Sequence, residues 1–263
     1  MSLLACMCNQ PTRLVEALLP VRADLVAPGP ISRWGMGYIR GGEVLLSRTP
    51  RRSNTELDFF PLLGDLKTDC LIAHAAYDAD TLATESTQPF RFRRWMFAQD
   101  SAPLLSSEDW NALIEHIPEF LRRSLRGRTI AELTLHVLLA ALHDQNVMDE
   151  PTISLLILRR SLAATLDRMN QRLIALGRST PTGNVAVSNG RSLLIARVPG
   201  GDPLFVRRLH VLTDRGLRDD SFRGVLALSS GHAPGEGAEE VPSGSIVMIS
   251  RDLRVDIAPT GAA

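Results

Sequence analysis

Hydrophobic positions change their spacing twice along the chain. In the first hundred residues they come as short runs or alternations bounded by turn residues, which is strand patterning. Residues 2–8 form an apolar run that stops at Asn9-Gln10-Pro11. Residues 34–39 and 43–47 flank Arg40-Gly41-Gly42 and predict a β-hairpin. Residues 70–75 read as a buried strand. Within 90–98, Phe90 and Phe92, then Trp95 and Phe97, alternate with a phase slip between the pairs.

From about residue 107 the spacing becomes helical. Ser107-Glu108-Asp109 caps a helix over 110–124, marked on one face by Leu113, Ile114, Ile117, Phe120 and Leu121. Residues 129–143 repeat the stripe, and a third helix runs over 152–176 with Gly177 as its C-cap. Strand patterning then returns. Residues 184–187 and 192–198 around Ser188-Asn189-Gly190 predict a second hairpin; 204–208, 224–229 and 245–250 predict strands; 231–244 is an acidic, glycine-rich loop. Strands, helices, then strands imply one domain over 1–263, with sheet packed on sheet and helices outside.

Composition narrows the partners. Acidic and basic residues balance at 29 each, so no global field favours nucleic acid or an anionic membrane. Lys67 is the sole lysine, and the arginine excess points to genome composition rather than a phosphate-binding surface. No apolar stretch reaches the ~20 residues of a membrane helix, and residues 1–8 lack the charged start of a secretion signal. Cys6, Cys8 and Cys70 have no metal-ligand spacing and suit a reducing cytoplasm; Cys6 and Cys8, one residue apart, face the same side of a strand. No metal or cofactor is expected.

Several short stretches occur in a telling order: Leu3-Leu4-Ala5 before Asn9-Gln10-Pro11, Trp34-Gly35-Met36-Gly37-Tyr38, Ile72-Ala73-His74-Ala75, and Ser86-Thr87-Gln88-Pro89-Phe90. Trp95-Met96-Phe97-Ala98-Gln99-Asp100-Ser101 follows, then Thr129 to Glu132 opening a helix, the 184–198 hairpin, and Val241-Pro242-Ser243-Gly244. Together they resemble the class II (N-terminal nucleophile) glutamine amidotransferases, in particular the compact bacterial branch that includes the gamma-glutamyl hydrolase of ergothioneine synthesis. The resemblance implies an α+β fold, a four-layer αββα sandwich whose first strand presents an N-terminal cysteine. The cysteine's own α-amine then acts as its base. An arginine in a His-x-Arg strand holds the glutamine carboxylate, and an Asn-Gly pair supplies the oxyanion hole.

Carried over residue by residue, that machinery is altered. The nucleophile position holds Ser2, or Met1 if the register shifts by one; neither is cysteine. Ala76 stands where the family has its arginine, and Arg91, Arg93 or Arg94 are the candidates to reach in instead. Asp100-Ser101 replaces Asn-Gly. Ser101 keeps a backbone N–H, but an ionised Asp100 only accepts hydrogen bonds and would face a developing negative charge. Gln99 replaces a histidine and Ser86 an asparagine, while His74 keeps its place. Trp34-Gly35 either shapes the pocket rim or packs as a core tryptophan on a close-packed glycine; Glu132 reads as a helix-start carboxylate. The expectation is a degenerate homologue that binds a small amino-acid-like ligand or a synthetase-type protein partner. The alternative is an active N-terminal nucleophile amidohydrolase using Ser2.

Overall fold

Alternation along the first strand, Leu3–Cys8, shows how the layers are made. Leu3, Ala5 and Met7 enter one hydrophobic cluster, whereas Leu4, Cys6 and Cys8 enter another. Every residue of this strand is buried, as expected of a central strand covered on both faces. The computed structural model describes residues 1–64, 66–77, 83–100, 104–115, 117–180 and 183–261.

Among these residues, one sheet has seven strands in the order Ala238–Glu240, Leu204–Leu209, Gly224–Ser229, Leu3–Cys8, Cys70–Ala76, Arg33–Arg40 and Glu43–Thr49. A second has six, in the order Val255–Pro259, Ser245–Ile249, Leu193–Arg197, Val185–Ser188, Trp95–Gln99 and Phe90–Phe92. Neighbouring strands in both sheets run antiparallel. The sheets share a core in which Leu3, Ile72, Val225 and Ala227 meet Met96, Ala98, Ile195 and Val247. Helices Ile130–Asp144 and Leu155–Ala175 cover the outer face of the six-stranded sheet through Leu135, Leu138, Leu142, Leu162 and Met169. The short helices Leu14–Leu18 and Phe59–Leu63 cover the other sheet. Four layers result, in the order αββα.

Both expected hairpins form: Arg40 pairs with Glu43 across Gly41-Gly42, and Leu193 pairs with Ser188. Thr129 caps the Ile130–Asp144 helix, its hydroxyl accepting from the Glu132 N–H at 3.1 Å. The Glu132 carboxylate reaches back to accept from the Arg126 and Gly127 N–H groups, each at 2.8 Å, and anchors the preceding loop.

Four expectations change. The phase slip after Phe92 is a hairpin turn at Arg93-Arg94, separating strands Phe90–Phe92 and Trp95–Gln99. The helix expected over 110–124 is two, Ser107–Ile114 and Glu119–Arg122. Pro118, which lacks an N–H and whose ring crowds the preceding turn, disfavours a continuous helix and stands as the N-cap of the second one. The third helix starts at Leu155, not 152. The loop 231–244 contains the strand Ala238–Glu240, and Val255–Pro259 adds an edge strand that patterning did not indicate.

Cys6, Cys8 and Cys70 are free and buried. Burial pushes the Cys6 thiol well above its ordinary value, and raises Cys8 and Cys70 to about 12. Among the described residues no helix is long and apolar enough to cross a membrane.

Candidate functional site

Ser2 lies at the head of the central strand and is gripped from both sides. Its N–H donates to the Ser229 carbonyl at 3.2 Å, and its own carbonyl accepts from the Ala75 N–H at 2.8 Å. The facing sheet brings in the second component. Strand Trp95–Gln99 ends beside Val185–Ser188, and Asp100 continues it, its N–H donating to the Asn184 carbonyl at 2.9 Å. Met96 and Ala98 point into the core between the sheets, so Asp100, in phase with them, points there too. The Ser2 hydroxyl donates to Asp100 Oδ2 at 3.0 Å. His74, paired in register with Leu3, places Nε2 3.6 Å from Asp100 Oδ1.

Asp100 and His74 are only 6% and 4% exposed, and that burial sets their charge. Loss of water pushes Asp100 up to about 7; hydrogen bonds from Ser2 and Ser229 work in the opposite direction, Asp202 adds to the rise, and the chain's amino terminus opposes it. Burial pushes His74 down to about 3, helped by the Arg33 guanidinium. The two are therefore not an ion pair: when Asp100 is ionised, His74 is neutral. This also revises the expectation of a fixed negative charge at Asp100, because near neutrality the carboxyl divides between its two forms. Asn184 completes the surroundings, donating from Nδ2 to Ser229 Oγ at 3.0 Å and to the Asp202 carbonyl at 2.9 Å. Met1 precedes all this, with its ammonium on the Val26 carbonyl at 3.3 Å and its carbonyl accepting from the Tyr77 hydroxyl at 2.8 Å. Burial lowers the pKa of that amine.

Sequence reasoning missed Arg33. It pairs in register with Ala76, so the two side chains share one face of the sheet, the face that also carries His74. Buried at 3% exposure, it sets a guanidinium beside the position where the resemblance expects one. The only local signal was an arginine directly before Trp34-Gly35. Arg91, Arg93 and Arg94 do not fill the role. Arg91 donates to the Val44 carbonyl at 2.8 Å, Arg93 pairs with Asp149 at the surface, and Arg94 lines a separate cavity with Asn189 and Arg251.

The remaining positions divide. Gly35 lies opposite His74 in the register, where a Cβ would stand 2.3 Å from the Gln88 carbonyl oxygen; no other residue allows that approach. Trp34 points away, into the outer core, with its ring edge-on to Phe59 at 6.0 Å. Gln99 also points away, lining a cavity of about 110 Å³ with Thr134 and Asn170 under the helices, while its N–H and carbonyl are clamped by the Gln88 amide at 2.7 and 2.8 Å. Alternation along the strand explains this, since Phe97 and Gln99 share the helix-facing side. Ser86 is buried in the turn Thr84–Ser86, and among the described residues no hydrogen bond joins it to Ser2, His74 or Asp100. Ser101 lies outside the described residues. No group of three His, Cys, Asp or Glu side chains suited to a metal occurs among the described residues.

No protein-family model and no curated protein matches the chain. Solved structures do. A glutamine aminotransferase class-II domain protein from Silicibacter pomeroyi superposes over 100% of both chains at 14% identity, with a TM-score of 0.61. A predicted glutamine amidotransferase from Pseudomonas aeruginosa superposes over 97% of this chain and 99% of its own, at 15% identity and a TM-score of 0.58. The glutamine phosphoribosylpyrophosphate amidotransferase of B. subtilis matches with 50% of its length against 100% of this chain, at 11% identity and a TM-score of 0.55. Together with the layered sheets and with Ser2 at the head of the central strand, these superpositions establish that the chain has the fold of the class II glutamine amidotransferase domains.

Proposed function

We propose that this chain is a catalytically degenerate class II glutamine amidotransferase-like protein that binds a small amino-acid-like ligand. The observation that carries the reading is the buried Asp100 carboxyl holding the Ser2 hydroxyl at 3.0 Å. A serine replaces the thiol at the head of the strand, and its oxygen is tied to a group that, when ionised, repels an oxyanion instead of stabilising it. His74 is neutral and makes no hydrogen bond to Ser2. Arg33 and Asp100 supply charges suited to a ligand carboxylate and ammonium respectively. The buried free thiols fit a reducing cytoplasm.

The test is ammonia release from glutamine and from γ-glutamyl amides. Wild type and Ser2→Ala are expected to be indistinguishable from buffer, while amino acids raise the melting temperature of both. Ammonia release abolished by Ser2→Ala would overturn the reading.

One observation favours a second reading. A carboxylate that titrates near 7 and accepts directly from a serine hydroxyl is suitably tuned as a general base, so Ser2 could attack a non-glutamine amide without using an α-amine. Intact mass separates the two possible bases: retained Met1 leaves only Asp100. Acylation of Ser2 by an activated amide, lost in Asp100→Ala, is the result this second reading requires.

A further inference from the structure

Another cavity opens where the edge strands of both sheets meet the Ile130–Asp144 helix. It is an open cleft of about 560 Å³, with Arg91 and Arg126 exposed at its mouth. Arg48 enters from the edge strand of one sheet, Arg91 from the edge strand of the other, and Arg126 from the loop ahead of the helix. None of the three makes an ion pair with a carboxylate among the described residues. Arg48 donates to the Thr87 carbonyl at 3.3 Å and Arg91 to the Val44 carbonyl at 2.8 Å, which leaves most of their N–H groups uncommitted.

The acids nearby offset this charge only in part. Both Glu132 oxygens accept from backbone N–H groups at 2.8 Å, and Glu85 is the other acid lining the space among the described residues. Among the described residues that line it, three arginines against two glutamates leave one net positive charge. Burial lowers the Arg48 pKa and Arg91 adds a smaller push the same way, while Glu132 and Glu85 act in the opposite direction. The inner wall is polar and buried. His136, 2% exposed, must donate from Nδ1 to the Glu132 carbonyl at 2.7 Å, because a carbonyl only accepts. Its Nε2 then faces the Ser124 hydroxyl at 2.9 Å. Leu46 and Phe90 supply apolar surface beside it.

From this convergence we propose that the cavity binds a small phosphate monoester, with Arg48, Arg91 and Arg126 around the phosphoryl group and the organic part against Leu46 and Phe90. Guanidiniums arriving from three separate elements match a tetrahedral oxyanion, whereas a planar monocarboxylate satisfies at most two forks. The volume also exceeds that of bare phosphate and falls in the range of small-molecule sites.

Phenyl phosphate, titrated calorimetrically at low salt, is the probe. Saturable binding is expected, weaker at higher ionic strength, and weakened roughly a hundredfold or more in Arg48→Gln/Arg126→Gln, which removes two charged hydrogen-bonding groups. Arg123→Gln, which removes an exposed partner of Glu119, should leave binding unchanged, as should Ser2→Ala. Circular dichroism and melting of the free variants establish that each is folded. Absence of saturation up to about 10 mM, a range covering any affinity worth ~3 kcal/mol or more, or full affinity in the double arginine variant, would overturn the site. Benzoate binding as tightly as phenyl phosphate would overturn the phosphoryl assignment.

Discussion

Replacing Asp100 with asparagine is expected to raise the midpoint of thermal unfolding at pH 8 and to leave it close to wild type at pH 4. The folded-state pKa of Asp100, about 7, lies above the ordinary value of 3.8, so the native chain holds a proton there that the unfolded chain has released. Stability contributed by the protonated form is present below about pH 4, declines as pH rises toward 7, and is gone above it. About three pKa units correspond to roughly 4 kcal/mol, an upper figure because a buried amide has its own desolvation cost. Asparagine keeps an acceptor for the Ser2 hydroxyl and turns an N–H toward His74 Nε2, without the charge. A gain of about 2–4 kcal/mol, or roughly 4–16 °C, follows at pH 8. Melting curves of both proteins across pH 4–8 decide the matter, and parallel profiles would show that no charge is being buried at position 100.

Gly183→Ala should have the opposite effect. A Cβ at this position would lie 1.6 Å from the Asp100 carbonyl oxygen and 2.1 Å from its carbon. The obstruction is backbone, so no rotamer change relieves it. The segment must separate from Asp100, breaking the bond from the Asp100 N–H to the Asn184 carbonyl and carrying the carboxyl away from Ser2. A loss of about 3 kcal/mol or more is expected, roughly 6–12 °C in melting temperature. Gly231→Ala is the control: nothing lies within 4 Å of its added Cβ, so the change should stay within about 0.5 kcal/mol. Equal melting temperatures for the two variants would refute the close approach.

What the sequence disclosed, and what it hid, follows from where the information resides. Strands that form the centre of a sheet, such as Leu3–Cys8 and Cys70–Ala76, are apolar on both faces and stand out as runs. The edge strands Ala238–Glu240 and Val255–Pro259 are held mainly by backbone hydrogen bonds on one side, and their side chains carry little pattern. Proximity of Ser2, His74 and Asp100 was legible through the resemblance, since each occupies a motif position. Arg33 was not, because its relation to Ala76 is a register between strands 43 residues apart in sequence. Conversely, the density of arginines at 91–94 drew attention to a hairpin turn that points them elsewhere. Charge state was equally hidden. Only the depth of Asp100 in the structure turns a carboxylate into a group poised near neutrality.

The thiols of the central strands have a practical consequence. All three are buried, and burial raises each thiol, Cys6 well above its ordinary value and Cys8 and Cys70 to about 12, so an alkylating reagent meets neither access nor a thiolate in the folded chain. Reaction must wait for the middle of the seven-stranded sheet to come apart. The rate at which iodoacetamide consumes these sulfurs therefore acts as a built-in clock for opening of the sheet, readable by mass spectrometry from the mass each alkylation adds.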